Sequence, residues 1–148
     1  MVSVGSPFPD FSLTDQEGQT HTLASLKGTR FVLFCYPKDD TSGCTQEACE
    51  FRDLLPRFDG VKVMGISPDP VKSHAKFAGK HSLPYPLLSD PEQELLQALG
   101  VWVEKSMYGK KYMGVERTTF LVDSDGKIEQ VWNKVKPAGH AEEVFNSL

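Results

Sequence analysis

Six consecutive apolar residues, Phe31-Val32-Leu33-Phe34-Cys35-Tyr36, end at Pro37, and a second short apolar stretch, Val61 to Ile66, ends at Ser67-Pro68. Runs of this length closed by turn residues are the pattern of buried strands. Between them Cys44, Ala48, Phe51, Leu55 and Phe58 recur at helical spacing, while Arg52, Asp53 and Arg57 fall on other faces. The pattern predicts a β-α-β unit whose helix stops or kinks near Pro56. A second helix is expected from about Val71 to Gly79 and a third from Pro91 to Leu99, stopped by Gly100. Between these two, Leu83-Pro84-Tyr85-Pro86 must be extended, because each proline moves its predecessor out of the helical region. Lys105, Lys110 and Lys111, with Glu104 beside them, read as a solvated loop.

Further along, Thr118 to Val122 and Lys127 to Trp132 flank Asp123-Ser124-Asp125-Gly126, a strong hairpin signal, and a last helix is expected from about Gly139. A weaker hairpin, Phe11 to Leu13 with Thr20 to Leu23, surrounds the turn Asp15-Gln16-Glu17-Gly18. The order β-α-β, helical excursion, β-β-α matches the thioredoxin-fold plan: an α/β chain with a central mixed sheet flanked by helices, here with an N-terminal β-hairpin extension. A strand starting at Thr118, set antiparallel beside Phe31 to Tyr36, would bring Arg117 to the end of that strand and toward Cys44.

Composition narrows the reading. The chain of 148 residues is the size of one domain, taken here as 1–148. Sixteen basic against twenty acidic side chains leave no positive excess to attract nucleic acid or anionic lipid. Apolar runs are too short to cross a bilayer, and the start Met1-Val2-Ser3-Val4-Gly5-Ser6-Pro7 lacks the charge and apolar stretch of a signal peptide, so a cytoplasmic chain is expected. Three cysteines in such a compartment are reduced, and any disulfide is expected to be transient. His21, His74, His81 and His140 show no paired ligand spacing and read as surface or structural; no metal site and no cofactor is expected.

Cys44 lies where the first helix begins, and the positive end of a helix favours an anion, which biases a thiol there toward thiolate. Around it the residues resemble a known family, the peroxiredoxins, and within them the bacterioferritin comigratory protein or PrxQ group. Pro37, Thr41 and Cys44 meet the signature Pro-x-x-x-Thr/Ser-x-x-Cys, and Arg117 stands for the family's distant arginine. Three further stretches are similar to PrxQ sequences: Tyr36 to Asp40, Gly100-Val101-Trp102 and Phe120 to Ile128. One departure is Ser42, where PrxQ members commonly carry proline; serine there either loosens the turn or adds a helix cap.

The resemblance implies a thiol-dependent peroxidase that reduces hydrogen peroxide and organic hydroperoxides without metal, haem or flavin. A lowered thiol pKa alone does not make a fast peroxidase, since nucleophilicity falls with pKa and returns much of the gain in thiolate. The larger effect comes from groups that align the peroxide and stabilise charge on the departing oxygen. Cys44 is assigned to attack, Thr41 and Arg117 to peroxide positioning and O–O polarisation, and Pro37 to shielding the sulfur from water. Glu47, one turn beyond Cys44, either accepts from Arg117 and fixes its planar head or is a first-turn carboxylate favouring the helix dipole. Attack leaves a sulfenic acid, for which Cys49 is the candidate resolving thiol. In an intact helix an i to i+5 pair has Cα atoms roughly 8.6 Å apart, beyond the limit of about 7 Å for a disulfide. The helix start must therefore unwind for that bond to form.

By the same resemblance, thioredoxin or a similar dithiol protein re-reduces the disulfide, and the chain acts as a monomer. Alternatives stay open at this point. Cys49 also reads as a helix-surface or core cysteine, Arg117 as a surface charge at a strand start, and Trp102 as a packing or a pocket residue. Cys35, mid-strand between Phe34 and Tyr36, reads as core. Two other functions compete: a thioredoxin-like disulfide reductase, which normally carries the Cys-x-x-Cys this chain lacks, and a redox-sensing interaction protein that uses the same helix opening.

Overall fold

A computed structural model describes residues 2–148. The chain opens with the expected hairpin, β1 (Ser12–Thr14) and β2 (Thr20–Thr22). Asp15 shapes its turn, its Oδ1 accepting from the Glu17 and Gln19 amides at 2.8 and 3.0 Å. The β-α-β unit follows as β3 (Arg30–Cys35), α1 (Ser42–Leu54) and β4 (Val61–Ser67). As Pro56 implies, α1 gives way to a single 3-10 turn over Leu55–Arg57. Helix α2 (Val71–His81) runs two residues past its expected end and stops where Ser82 takes a left-handed conformation, φ 52°.

Three strands escaped the hydrophobic pattern and one helix was overextended. Strand β5 (Leu87–Ser89) is only three residues long and directly follows Pro86, too short to show a period. Helix α3 covers Glu94–Ala98 rather than the full Pro91 to Leu99, because Gln93 is left-handed, φ 58°, and the Asp90 carboxylate receives the Glu94 and Leu96 amides at 3.0 and 2.9 Å. Lys105, Lys110 and Lys111 are not in a loop. They belong to a separate two-stranded ribbon, β6 (Trp102–Met107) and β7 (Lys110–Val115), turned by Tyr108 and Gly109 with φ of 53° and 78°. Positive φ at both turn residues is the tight-hairpin geometry that usually announces itself as Asn-Gly. The chain ends with β8 (Thr118–Val122), β9 (Ile128–Trp132) and α4 (His140–Asn146).

Seven strands form one mixed sheet in the order β2-β1-β5-β4-β3-β8-β9. Strands β3, β4 and β5 are parallel, and β8 runs antiparallel to β3 with Phe31 opposite Val122 and Cys35 opposite Thr118. The alternation of β3 side chains divides the core. Val32, Phe34 and Tyr36 pack with Ala48 and Phe51 of α1, Phe77 of α2 and Val144 of α4. On the other face Phe31, Leu33 and Cys35 pack with Met64, Ile66, Leu88 and the α3 residues Leu95 and Leu96. Gly65 permits this closeness, since a Cβ there would lie 2.9 Å from Phe34 Cζ and 3.0 Å from Leu87 Cδ2. Because Thr118 pairs with the last residue of β3, Arg117 arrives where β3 hands the chain to the loop before α1.

Candidate active site

The loop Pro37 to Thr41 joins β3 to α1, and Thr41 is the N-cap residue of α1 with an extended backbone, φ −87° and ψ 155°. Its side chain does not cap. The Thr41 hydroxyl donates to the Lys38 carbonyl at 2.9 Å, so its proton is engaged and its lone pairs are free. Cys44 sits in the first turn and is buried. Arg117 Nη2 donates to Cys44 Sγ at 3.3 Å, and Nη1 donates to Glu47 Oε1 at 2.7 Å. One guanidinium therefore spans two residues of a single helical face, three positions apart.

Gly43 makes that approach feasible: a Cβ at this position would lie 3.3 Å from Arg117 Nη2 and 3.2 Å from Pro137 Cγ. Arg117 is held from the backbone side as well, its carbonyl accepting from the Val135 amide at 2.9 Å. Desolvation opposes its charge, but Glu47 and Cys44 outweigh that and hold its pKa above the ordinary arginine value. Glu47 is 0% exposed, and its Oε2 has no hydrogen-bond partner. Burial pushes its carboxyl up to about 7, against the pull of Arg117.

The three cysteines separate by environment, and all are free thiols. Cys35 is completely buried in the core, and desolvation drives its pKa well above the ordinary thiol value, an inert setting for sulfur. Cys49 is half-buried on α1, whose helix is unbroken from Ser42 to Leu54, so it does not meet Cys44 in this conformation. Cys44, Glu47 and Arg117 thus form one hydrogen-bonded line, Thr41 stands at the helix mouth with its hydroxyl on Lys38, and Pro37 is half-buried at the exit of β3.

Beneath this loop lies a polar network that sequence reasoning did not assemble. Asp39 accepts from Tyr36 Oη at 2.6 Å and from Ser73 Oγ at 2.8 Å, and its Oδ2 lies 2.7 Å from His74 Nδ1. His74 is fully buried, as a structural histidine would be, with Nε2 2.9 Å from the Leu88 carbonyl. The Asp39 amide donates to Asp69 Oδ2 at 2.8 Å. Asp39 and His74 are 35 residues apart, and no local pattern links them. Lys105 is the second missed residue. Its half-buried side chain senses the charges of Arg117 and Cys44, and the run Trp102 to Met107, which shows no apolar–polar alternation, gave no signal that it lies on a strand.

A buried thiol in a helix's first turn is thus hydrogen-bonded to an arginine brought from the segment just before β8. The AhpC/TSA family profile matches residues 4–131. The chain is a peroxiredoxin of the AhpC/TSA family. It is 49% identical to a putative peroxiredoxin Bcp of Coxiella burnetii over 99% of both chains, and 45% identical to the peroxiredoxin Bcp of Bacillus subtilis over 99% of this chain and 95% of that one. Among solved structures, the bacterioferritin comigratory protein of Xanthomonas campestris, studied for alkyl peroxide reduction, superposes with a TM-score of 0.90 at 41% identity, covering 99% of this chain and 95% of that one. A cysteine-to-serine variant of Xylella fastidiosa PrxQ gives 0.94 at 37% identity, with the same coverage. The peroxiredoxin has the thioredoxin fold of these relatives, with β1 and β2 as its N-terminal hairpin, and it is a thiol-dependent peroxidase acting on peroxides. Among the described residues no helix is long and apolar enough to cross a membrane.

Proposed function

We propose that Cys44 is the peroxidatic nucleophile of an atypical two-cysteine cycle on hydrogen peroxide and alkyl hydroperoxides, with Cys49 as the resolving thiol. The observation that carries this reading is the 3.3 Å bond from Arg117 Nη2 to Cys44 Sγ. A guanidinium at that distance supports the thiolate and presents its remaining donors to a peroxide lying against the sulfur. The thiolate attacks the terminal oxygen of HO–OR, the O–O bond breaks, and Cys44 becomes the sulfenic acid while RO⁻ leaves as the alcohol. Thr41, with its lone pairs free, accepts from the peroxide O–H, Arg117 polarises the O–O bond, and Pro37 limits access of water to the sulfur. Glu47 fixes the guanidinium plane through Nη1.

The Cys49 thiol then attacks the sulfenic sulfur, expelling water and forming the disulfide. This requires the first turns of α1 to unwind, because both cysteines lie in one unbroken helix. Thioredoxin or a comparable dithiol protein returns the disulfide to two thiols and becomes a disulfide itself. The cycle is assigned to one single-domain monomer in the cytoplasm, where free thiols persist.

A time-resolved thiol count tests the cycle. Fully reduced protein given one equivalent of hydrogen peroxide should fall within seconds from three free thiols to one, with peptide mapping linking Cys44 to Cys49. Cys44→Ser should keep both remaining thiols, and Cys49→Ser should stop at the sulfenic acid. Three thiols persisting in the wild type would remove the reading.

A further inference from the structure

Helix α1 is held unevenly along its length. Among the described residues, the only hydrogen bonds that reach residues 42–47 from outside the helix and its cap come from Arg117, to Cys44 and Glu47. From Ala48 onward the fastenings come from three other segments. Tyr85 Oη donates to the Ala48 carbonyl at 2.6 Å, the Gly139 amide donates to Glu50 Oε1 at 2.9 Å, and Arg52 Nη1 donates to the His81 carbonyl at 2.7 Å. Phe51 adds a ring stacked on Phe34, with centroids 4.7 Å apart. The boundary between the two parts of the helix falls at Ala48, between Cys44 and Cys49.

Tyr85 is rigidly mounted. It lies between Pro84 and Pro86, is 3% exposed, and sets its ring edge-on to Phe34 at 5.7 Å. Gln16, from the turn of the N-terminal hairpin, clamps the backbone on both sides of Pro86: its Nε2 donates to the Tyr85 carbonyl at 2.9 Å, and its Oε1 accepts from the Leu87 amide at 2.7 Å. Burial holds the Tyr85 phenol well above its ordinary pKa, so the hydroxyl keeps the proton it donates. Within α1 the Ala48 carbonyl also takes the Arg52 amide, four residues on. Unwinding of the residues ahead of it would therefore leave Ala48 as the N-cap of a shorter helix. Alanine has no side chain that caps, so whatever stops the fraying at this position comes from outside the helix.

We propose that Tyr85 is the positioning residue of the resolving step: its hydroxyl pins the Ala48 carbonyl so that unwinding of α1 halts there, Cys49 keeps its place as the first residue of the shortened helix, and the Cys44 sulfur travels to it. The length released is sufficient. An unwound chain spans roughly 3.3–3.6 Å per residue, so freeing the residues between the cysteines lets their Cα atoms close from roughly 8.6 Å to the roughly 5.5 Å of a disulfide. In that step the Cys49 S–H and Cys44 S–O bonds break, the S–S bond forms, and the thiol proton leaves with the hydroxide as water. This assignment rests on Cys44 and Cys49 being the pair of the cycle.

Tyr85→Phe removes the hydroxyl alone and keeps the ring against Phe34. With one equivalent of hydrogen peroxide in a single turnover, sulfenic acid trapping should show Cys44 oxidised at the wild-type rate, while thiol counting should show disulfide closure slowed about fivefold. Hydrogen exchange on the disulfide form reads the stop itself. In the oxidised wild type the amides of residues 45–51 should be labile and the Arg52 amide, bonded to the Ala48 carbonyl, should stay protected; in oxidised Tyr85→Phe the Arg52 amide should become labile as well. A variant harmed only in its packing would slow both chemical steps alike, and that result, or unchanged closure, would overturn the proposal. A labile Arg52 amide in the oxidised wild type would overturn it without any variant. A wild-type product in which peptide mapping finds no bond between Cys44 and Cys49 would instead overturn the pairing beneath it.

Discussion

Glu47 has one carboxyl oxygen on Arg117 and the other unpartnered in full burial. Its folded pKa, about 7, lies above the unfolded value near 4.5. Between those two pH values the native protein therefore holds more protons than the unfolded chain, and stability falls as pH rises through the window. At 1.36 kcal/mol per unit the loss reaches about 3 kcal/mol above pH 7 and vanishes below 4.5. Glu47→Gln is neutral throughout, so its urea-unfolding free energy, minus that of the wild type, should grow by about 3 kcal/mol between pH 4.5 and 8. A pH-independent difference would mean that the carboxyl titrates normally. On the proposed cycle, a partly protonated Glu47 would orient Arg117 without fully neutralising it and leave positive charge for the sulfur.

At the scale of elements, the proposed cycle asks α1 to be ordered enough to place Cys44 and weak enough to release it. Its start is weak in an identifiable way, since Thr41 supplies no side-chain cap. Ser42 is the first helical residue, a position where the missing N–H of proline costs nothing, and the extended backbone of Thr41 suits a residue before proline. Ser42→Pro should therefore raise stability by about 0.5 kcal/mol through the unfolded state. It should also slow disulfide formation while leaving sulfenic acid formation intact, as read by thiol counting against sulfenic acid trapping; faster disulfide closure would contradict this account of α1. The elements that matter here were legible where the period was long or the closing residue strong, as in β3 with Pro37, α1 with its apolar face and Pro56, and β8–β9 around Asp123 to Gly126. The ribbon was not, because its turn is Tyr108-Gly109 and its strands carry Lys105, Lys110 and Lys111 at exposed or half-exposed positions. Cys44, Glu47 and Arg117 were legible because two lie on one helical face and the third adjoins a strand whose antiparallel partner is β3. Lys105 was hidden with its strand.

On the scale of the whole molecule, the loop that precedes Cys44 is anchored by one buried carboxylate. Asp39 joins the exit of β3 through Tyr36 to α2 through Ser73 and His74, and its amide reaches Asp69 beyond β4. His74 carries the tie on to β5 at the Leu88 carbonyl. The network therefore fixes the loop against three parallel strands and α2, while the first turns of α1 are held from outside by Arg117 on Cys44 and Glu47 and by Tyr85 Oη donating to the Ala48 carbonyl. On the proposed cycle the unwinding for the disulfide falls to α1, which holds both cysteines, while the Asp39 network keeps the loop and Thr41 in place. Asp39→Ala would leave the Tyr36 hydroxyl, the Ser73 hydroxyl and His74 Nδ1 without their buried acceptor. Removing one member of such a network costs about 3 kcal/mol or more. The expected result is a lower urea midpoint, together with slower peroxide reaction of Cys44 in the fraction that remains folded, because Thr41 hangs from the loosened loop. Full stability with slowed chemistry, or full activity with lost stability, would show that the anchor serves only one of the two.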